Sequence, residues 1–289
     1  MSLVVDFWAN ARSPAAVQAW QTIRIFQEAV EARGGTFEER GPAETVRDMD
    51  ECGIDLSVVS GTAGLEPRFP QENYTVYDVL EWCEAYPKRM LAAMVVEGLG
   101  SISYICRMIE ELAPNPAFAL VRVVPMFLQE PLNSARLYPV YERCEGLGIP
   151  VSINVGVPAP RVRAAHQDPL LLDEVLVDFP QLTVVAAHMG HPWESLLINF
   201  MRKFPNLYLT NSGYLAKYIV PEIVQFMNSS VGFDRLIFAS DAPRIAPARA
   251  IEEARRLPIN EKAMTHFLGE NALAVLGSRV VPALPGAGV

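Results

Sequence analysis

Two titratable side chains stand directly beyond short apolar runs: Asp241, in Ser240-Asp241-Ala242-Pro243, and His188, in His188-Met189-Gly190-His191-Pro192-Trp193. A carboxylate and an imidazole at strand ends are the parts of acid–base chemistry. One takes a proton, and the other moves one or steadies developing negative charge. Both also have quieter uses. Asp241 suits a cap for the turn before Pro243, and a lone histidine commonly ends as a hydrogen-bonded core residue.

Around this pair stand residues suited to holding a substrate. Asn10, Asn154 and Asn211 fall near the ends of other apolar runs. Pointing inward together, they form a ring of neutral donors and acceptors that orients a carbonyl or hydroxyl without a cation. Pointing outward, they satisfy loop backbone. Arg122 interrupts Leu120-Val121-Arg122-Val123-Val124. A charge there must be paired or face a polar cavity, so it either clamps a substrate carboxylate or salt-bridges inside the core. Arg161 and Arg163 are exposed candidates for the same carboxylate. Trp8 reads as a wall that stacks on a flat substrate, His191 and Tyr214 as lining beside Tyr218, and Trp193 as packing.

The elements that must position these residues alternate along the chain. Short apolar runs cover residues 3–7, 54–59, 90–96, 119–124, 150–153, 182–187, 207–209 and 236–239. Segments of helical period separate them, among them 76–85, 102–112, 134–145, 170–178 behind an Asp168-Pro169 cap, and 261–276. Eight strands alternating with helices predict an α/β fold, a distorted (β/α)8 barrel in one domain over residues 1–281 with a loose tail at 282–289. A doubly wound open sheet would carry a Gly-rich turn after the first strand, and Asp6-Phe7-Trp8-Ala9-Asn10 is not one. Two segments are long for the pattern: the insertion 11–41 after the first strand, amphipathic over 15–32 and followed by Gly34-Gly35, and the loop 61–71. Both leave the face where barrel enzymes keep their sites, which makes them lids or walls, or alternatively packing or a dimer contact.

Composition narrows the partners. Of 289 residues 51% are hydrophobic, enough for a large core, and the net charge of −9 with no basic run argues against nucleic acid. No stretch reaches the ~20 apolar residues of a membrane span. Cys52, Cys83, Cys106 and Cys144 are isolated on helical segments, so the expectation is free thiols, a reducing compartment and a cytoplasmic protein.

Three stretches together carry a family signature: Asp168-Pro169-Leu170-Leu171-Leu172-Asp173-Glu174-Val175 with Asp178-Phe179-Pro180, then His188 to Trp193, then Ser240-Asp241-Ala242-Pro243. With Glu270-Asn271-Ala272 they resemble the amidohydrolase-related family, which holds muconate-semialdehyde- and resorcylate-type decarboxylases, hydratases and pyrone lactonases. The resemblance runs from Asp6 to Leu276. It implies a divalent metal at the barrel mouth, held by two histidines in a D-x-H-x-H pattern ending strand one, by histidines ending strands five and six, and by an aspartate ending strand eight. Here the first two places hold Trp8 and Asn10, and the strand-five place holds Asn154. Only His188 and Asp241 match. Indole nitrogen has no basic lone pair and an amide oxygen is a poor replacement for imidazole, whereas zinc-like ions want three or four good donors. The expectation is therefore no metal and no cofactor, with at most a weak divalent ion at His188 and Asp241, and an Asp241 carboxylate left desolvated with no cation beside it.

These readings converge on a metal-independent enzyme in which Asp241 and His188 serve as acid and base on a small cyclic or unsaturated carboxylate. Hydrolysis of a lactone- or ester-like bond comes first, because the resembling family includes lactonases that work without metal. A lyase, decarboxylase, cyclase or dehydratase is the alternative, and a non-catalytic binding protein derived from the enzymes is a third. The family resemblance also implies a homodimer.

Overall fold

The computed structural model describes residues 3–31, 38–67 and 69–277. Eight parallel strands follow one another in chain order: β1 (Val5–Asn10), β2 (Leu56–Thr62), β3 (Met90–Val96), β4 (Phe118–Val123), β5 (Val151–Asn154), β6 (Val184–Ala187), β7 (Leu207–Thr210) and β8 (Leu236–Ile237). Every residue of β2, β3 and β4 is buried. That is why these runs read as continuously apolar: each strand is covered by the barrel interior on one face and by helices on the other. Main-chain hydrogen bonds join the two ends of the sheet, from Phe7 to Phe238 (3.1 Å), from Asp241 to Trp8 (2.8 Å) and from Asn10 to Ala242 (2.9 Å). The result is a single-domain (β/α)8 barrel.

The expected strands are all present, with shifted ends. β1 runs on to Asn10, which places Trp8 and Asn10 on the strand. The helix expected from residue 134 begins at Tyr138, after a turn in which Leu137 donates to the Ser134 carbonyl. Asp168 caps as expected, its side chain accepting from Leu170 N at 2.9 Å, but a 3-10 turn precedes the helix Leu172–Asp178.

The terminal helix is broken into Glu261–Thr265, a wide π turn His266–Glu270, and Asn271–Leu276. Two contacts account for the break. The Phe267 carbonyl is taken by Phe238 N at 2.9 Å, and Gly269 lies so close to the Leu3 carbonyl that an added Cβ would sit 1.8 Å from it. The four cysteines lie on helices as free thiols, and among the described residues no helix is long and apolar enough to cross a membrane. The tail at 282–289 and Gly34-Gly35 lie outside the described residues.

The insertion after β1 forms two helices, Pro14–Thr22, capped by the Ser13 hydroxyl, and Arg24–Glu31. Trp20, Phe26 and Val30 pack with Phe69 and Tyr74 into an apolar cluster apart from the barrel core. The Phe26, Phe69 and Phe127 rings meet at 4.9–5.5 Å between centroids. The loop beyond β2 is held to the barrel by buried Glu97, whose carboxylate accepts from Ala63 N (2.9 Å) and Leu65 N (2.6 Å). The two long segments therefore fold against each other as a roof over the strand ends.

Candidate active site at the barrel mouth

The C-terminal ends of β1 to β6, with the turn after β8, converge on a cavity of about 60 Å³. Its floor is polar, made of Asn10, Asn154, His188, Asp241 and Arg244. Its sides and roof are mostly apolar, with Trp8, Met126, Trp20, Phe26, Val30 and Phe127, and with Ser60, Thr62 and Tyr74 among them. This is the pattern of a ligand site: few polar groups in an apolar surround.

Asp241 is 2% exposed and sits in the left-handed backbone region, at φ +59°. Its Oδ1 accepts from Asn10 Nδ2 at 3.1 Å. Its Oδ2 lies 3.0 Å from Arg244 Nη1 and 4.0 Å from His188 Nδ1. The Arg244 contact is a charge pairing only, since Oδ2 is buried and receives no well-directed hydrogen bond. The expectation of a carboxylate with no cation beside it is thus corrected: a guanidinium from the same turn stands there.

His188 also has left-handed backbone, at φ +64°. Its amide donates to Ser212 Oγ at 3.2 Å, and its Nδ1 lies 2.9 Å from the Ser212 carbonyl. A carbonyl only accepts, so the Nδ1–H form of the ring suits that contact, and the Ser212 hydroxyl lies 2.9 Å from the same nitrogen. Non-glycine residues in this region cost about 1–2 kcal/mol each. Six described non-glycine residues adopt it, and the two acid–base candidates are among them. Gly213, at φ +70°, keeps the space between them open: a Cβ there would lie 3.0 Å from Asp241 Oδ2, 3.5 Å from His188 Nδ1 and 3.9 Å from Arg244 Nη1.

The other sequence candidates divide. Trp8 and Asn10 line the cavity and touch each other, Trp8 Nε1 donating to Asn10 Oδ1 at 3.3 Å. Asn154 lines it too, and its buried Oδ1 has no hydrogen-bond partner. Asn211 is spent on backbone, accepting from Ala239 N and donating to the Tyr214 carbonyl, both at 3.0 Å. Arg122 is fully buried below the cavity, donating to the Phe7 (2.9 Å) and Val58 (3.2 Å) carbonyls and stacked 3.7 Å from the Trp8 ring centre. It does not line the cavity. Arg161 is 81% exposed and grips Glu28 of the roof, and with Arg163 it borders a separate cleft. Its guanidinium and main-chain N–H, with Arg24, hold the Glu28 carboxyl down at about 2, the main-chain bond first. His191 pairs with Glu194 at 2.6 Å and, with Tyr214 and the exposed Tyr218, lines an outer chamber of about 820 Å³.

Sequence reading missed Arg244, Ser212 and Gly213, and it read the insertion as a lid or wall without naming Trp20, Phe26 or Phe127 as its lining. For Arg244 a signal existed: it follows Asp241 by three residues in a turn, and its amide donates to the Asp241 carbonyl at 3.0 Å. For Trp20 and Phe26 the amphipathic pattern showed a buried face but not what it covers.

The donor set does not fit a divalent metal. Among the described residues no three His, Cys, Asp or Glu side chains come together to hold one. The amide nitrogen of Asn10 is turned toward Asp241, and the cationic Arg244 would repel a second cation at the same carboxylate.

Comparisons with known proteins agree with this architecture. A family model described as Amidohydrolase matches residues 38–278. The structure is similar to that of an uncharacterized TIM-barrel protein from Bordetella bronchiseptica, at 26% identity and TM-score 0.80, covering 96% of this chain and 99% of that one. It is also similar to 5-carboxyvanillate decarboxylase from Sphingomonas paucimobilis (16% identity, TM-score 0.71, 96% and 99% covered). A third likeness is to a dihydroxybenzoic acid decarboxylase from a Polaromonas species with bound manganese and 2-nitroresorcinol (15%, 0.67, 96% and 97%). At such identities the two decarboxylases speak for the fold alone. A comparison with curated proteins found no match. By the family match over most of its length, this chain belongs to the amidohydrolase family.

Proposed function

We propose that this protein is an enzyme that works without a metal ion, hydrolysing a lactone- or ester-like bond in a small cyclic or unsaturated carboxylate. The observation that carries the reading is the Arg244 guanidinium 3.0 Å from Asp241 Oδ2, which puts a side-chain cation where the matching position of the family would meet a metal. Asp241 Oδ2, buried and short of a hydrogen bond, is placed to take a proton from water. His188 delivers the Nε2 proton of its imidazolium form to the leaving oxygen and recovers a proton from Asp241 after the bond breaks, while Ser212 holds Nδ1. Asn10 orients Asp241, and Asn154 offers an amide to the substrate. The roof of Trp20, Phe26 and Phe127 keeps bulk water away.

Carbon–carbon cleavage uses the same residues, so product analysis separates hydrolase from lyase. The test is a lactone and hydroxybenzoate panel, assayed on chelator-treated protein with metal content measured on the same sample. Turnover that survives chelation and is lost in Asp241→Asn supports the proposal. Turnover that returns only with added manganese or zinc overturns it.

A further inference from the structure

We propose that Arg244 is the receptor for a substrate carboxylate and that binding draws it off Asp241, so that recognition of the anion uncovers the group that moves the proton. This rests on the acid–base reading above. One side chain borders three spaces: the inner cavity, a narrow space of about 20 Å³ beside Pro158–Pro160, and the outer chamber of about 820 Å³. The inner cavity has room for a few water molecules. An organic acid must therefore use the outer chamber as well, and Arg244 and Pro243 are the residues the two spaces share.

The pairing that Arg244 makes in the free protein is incomplete. A guanidinium prefers two parallel N–H···O bonds to a carboxylate. Here Nη1 approaches Oδ2 alone, and Oδ2 gains no directed hydrogen bond from it. Asp241 is held independently by Asn10 on Oδ1, so it keeps its place when the guanidinium leaves. The Arg244 main chain is tied to Asp241, while its side chain is 16% exposed against 3% for that of Asp241. It is thus reachable from outside where its partner is not.

Other arginines around the outer chamber are committed elsewhere. Arg12 pairs with Asp48 at 2.6 Å, Arg40 with Glu38 at 2.6 Å, and Arg249 with Glu253 at 3.5 Å. A carboxylate entering from the chamber offers Arg244 two oxygens in place of one. Exchange leaves Asp241 Oδ2 free to accept a proton from water or from the substrate.

The test reads binding, so it stands apart from turnover. Benzoate and its uncharged analogue benzamide are titrated into the full chain by tryptophan fluorescence, since Trp8 and Trp20 border the inner cavity. Benzoate is expected to bind at least about tenfold tighter than benzamide, and Arg244→Met to remove that preference while leaving benzamide unchanged. Asp241→Asn is expected to tighten benzoate, because the competing carboxylate is gone. If Arg244→Met does not fold, Arg244→Lys, which keeps the charge but not the fork, should weaken benzoate by about threefold or more. No benzoate binding, equal binding of the two probes, unchanged benzoate affinity in both Arg244 variants, or weaker benzoate binding in Asp241→Asn overturns the exchange. Metal-free turnover that persists alongside any of these results would leave the acid–base reading standing and sink only the exchange.

Discussion

The barrel buries two aspartates, Asp6 in its interior and Asp241 at its mouth, and they are held differently. In the interior, Asp6 accepts from Ser240 Oγ (2.5 Å), Ser240 N (2.8 Å) and Trp8 N (3.3 Å). Burial pushes its carboxyl up to about 6 against the pull of those bonds. Arg122 lies fully buried on the underside of Trp8, and burial brings its guanidinium down to about 9 although the charges of Asp241 and Asp6 favour it. At the mouth, Asp241 has one oxygen held and one without a directed hydrogen bond, and its arginine reaches it with a single nitrogen.

Both aspartates are buried, so burial does not distinguish them. What differs is where the unfinished bonding lies. Asp6 is closed off by backbone and Ser240, whereas Asp241 Oδ2 borders space that a ligand can enter. Trp8 is the partition: one face stacks on Arg122, and the ring also lines the cavity and meets His188 at 4.9 Å. Arg122 does leave Nε and Nη1 without partners, and nothing in the structure explains that.

The widest separation between the two regions should appear in turnover. Asp241→Asn is expected to cost about 10²–10⁴ in kcat with little change in unfolding midpoint, the usual weight of a lost acid–base group. Retained turnover in a folded Asp241→Asn protein would erase the contrast.

The interior aspartate should show itself through pH and stability. A carboxyl raised on folding from 3.8 to about 6 binds its proton more readily in the folded chain. The Asp6 contribution is therefore most favourable below about pH 4, declines as pH rises toward 6, and is then constant. Its size is about 3 kcal/mol. Denaturant titrations across this window should show that fall in the wild type and lack it in Asp6→Asn; parallel curves would place Asp6 outside the account.

Gly213→Ala sharpens the contrast at the mouth. A Cβ 3.0 Å from Asp241 Oδ2, on backbone at φ +70°, should destabilise by about 1–2 kcal/mol and lower kcat as well. Unfolding curves and rates on the same preparation check both. The smallest effect is expected from Arg161→Ala and Arg163→Ala. Arg161 is exposed and bound to Glu28, so kcat/KM should stay within about threefold, the scale of an exposed ion pair. A larger loss would show that the cleft beside the roof takes part in substrate binding.

The site was partly legible beforehand. Asp241, His188, Asn10, Asn154 and Trp8 were readable because parallel barrels deliver the residues that end their strands to one face. Arg122, Arg161 and Asn211 show where such reading stops: residue type announces a need for partners but not which partners meet it. Arg122 found main-chain carbonyls and an indole face, Arg161 found Glu28, and Asn211 found backbone. Arg244 carried a local signal at i+3 from Asp241, yet its weight came only from standing between two cavities.

By itself the sequence determined the eight strands and their order, though not their ends, because buried parallel strands need unbroken apolar runs and barrels place consecutive strands side by side. It also fixed the residue types Trp8, Asn10 and Asn154 at the places where the family resemblance implies imidazole. Tertiary structure decided the rest. The insertion became a roof through ring contacts between residues 26, 69 and 127, far apart in the chain. The Arg244 guanidinium reaches Asp241 from within one turn, but the contact of His188 with Ser212 and the open space over Gly213 depend on distances of a few ångströms between separate loops. Such distances follow from how the barrel closes, and no local pattern in the chain encodes them.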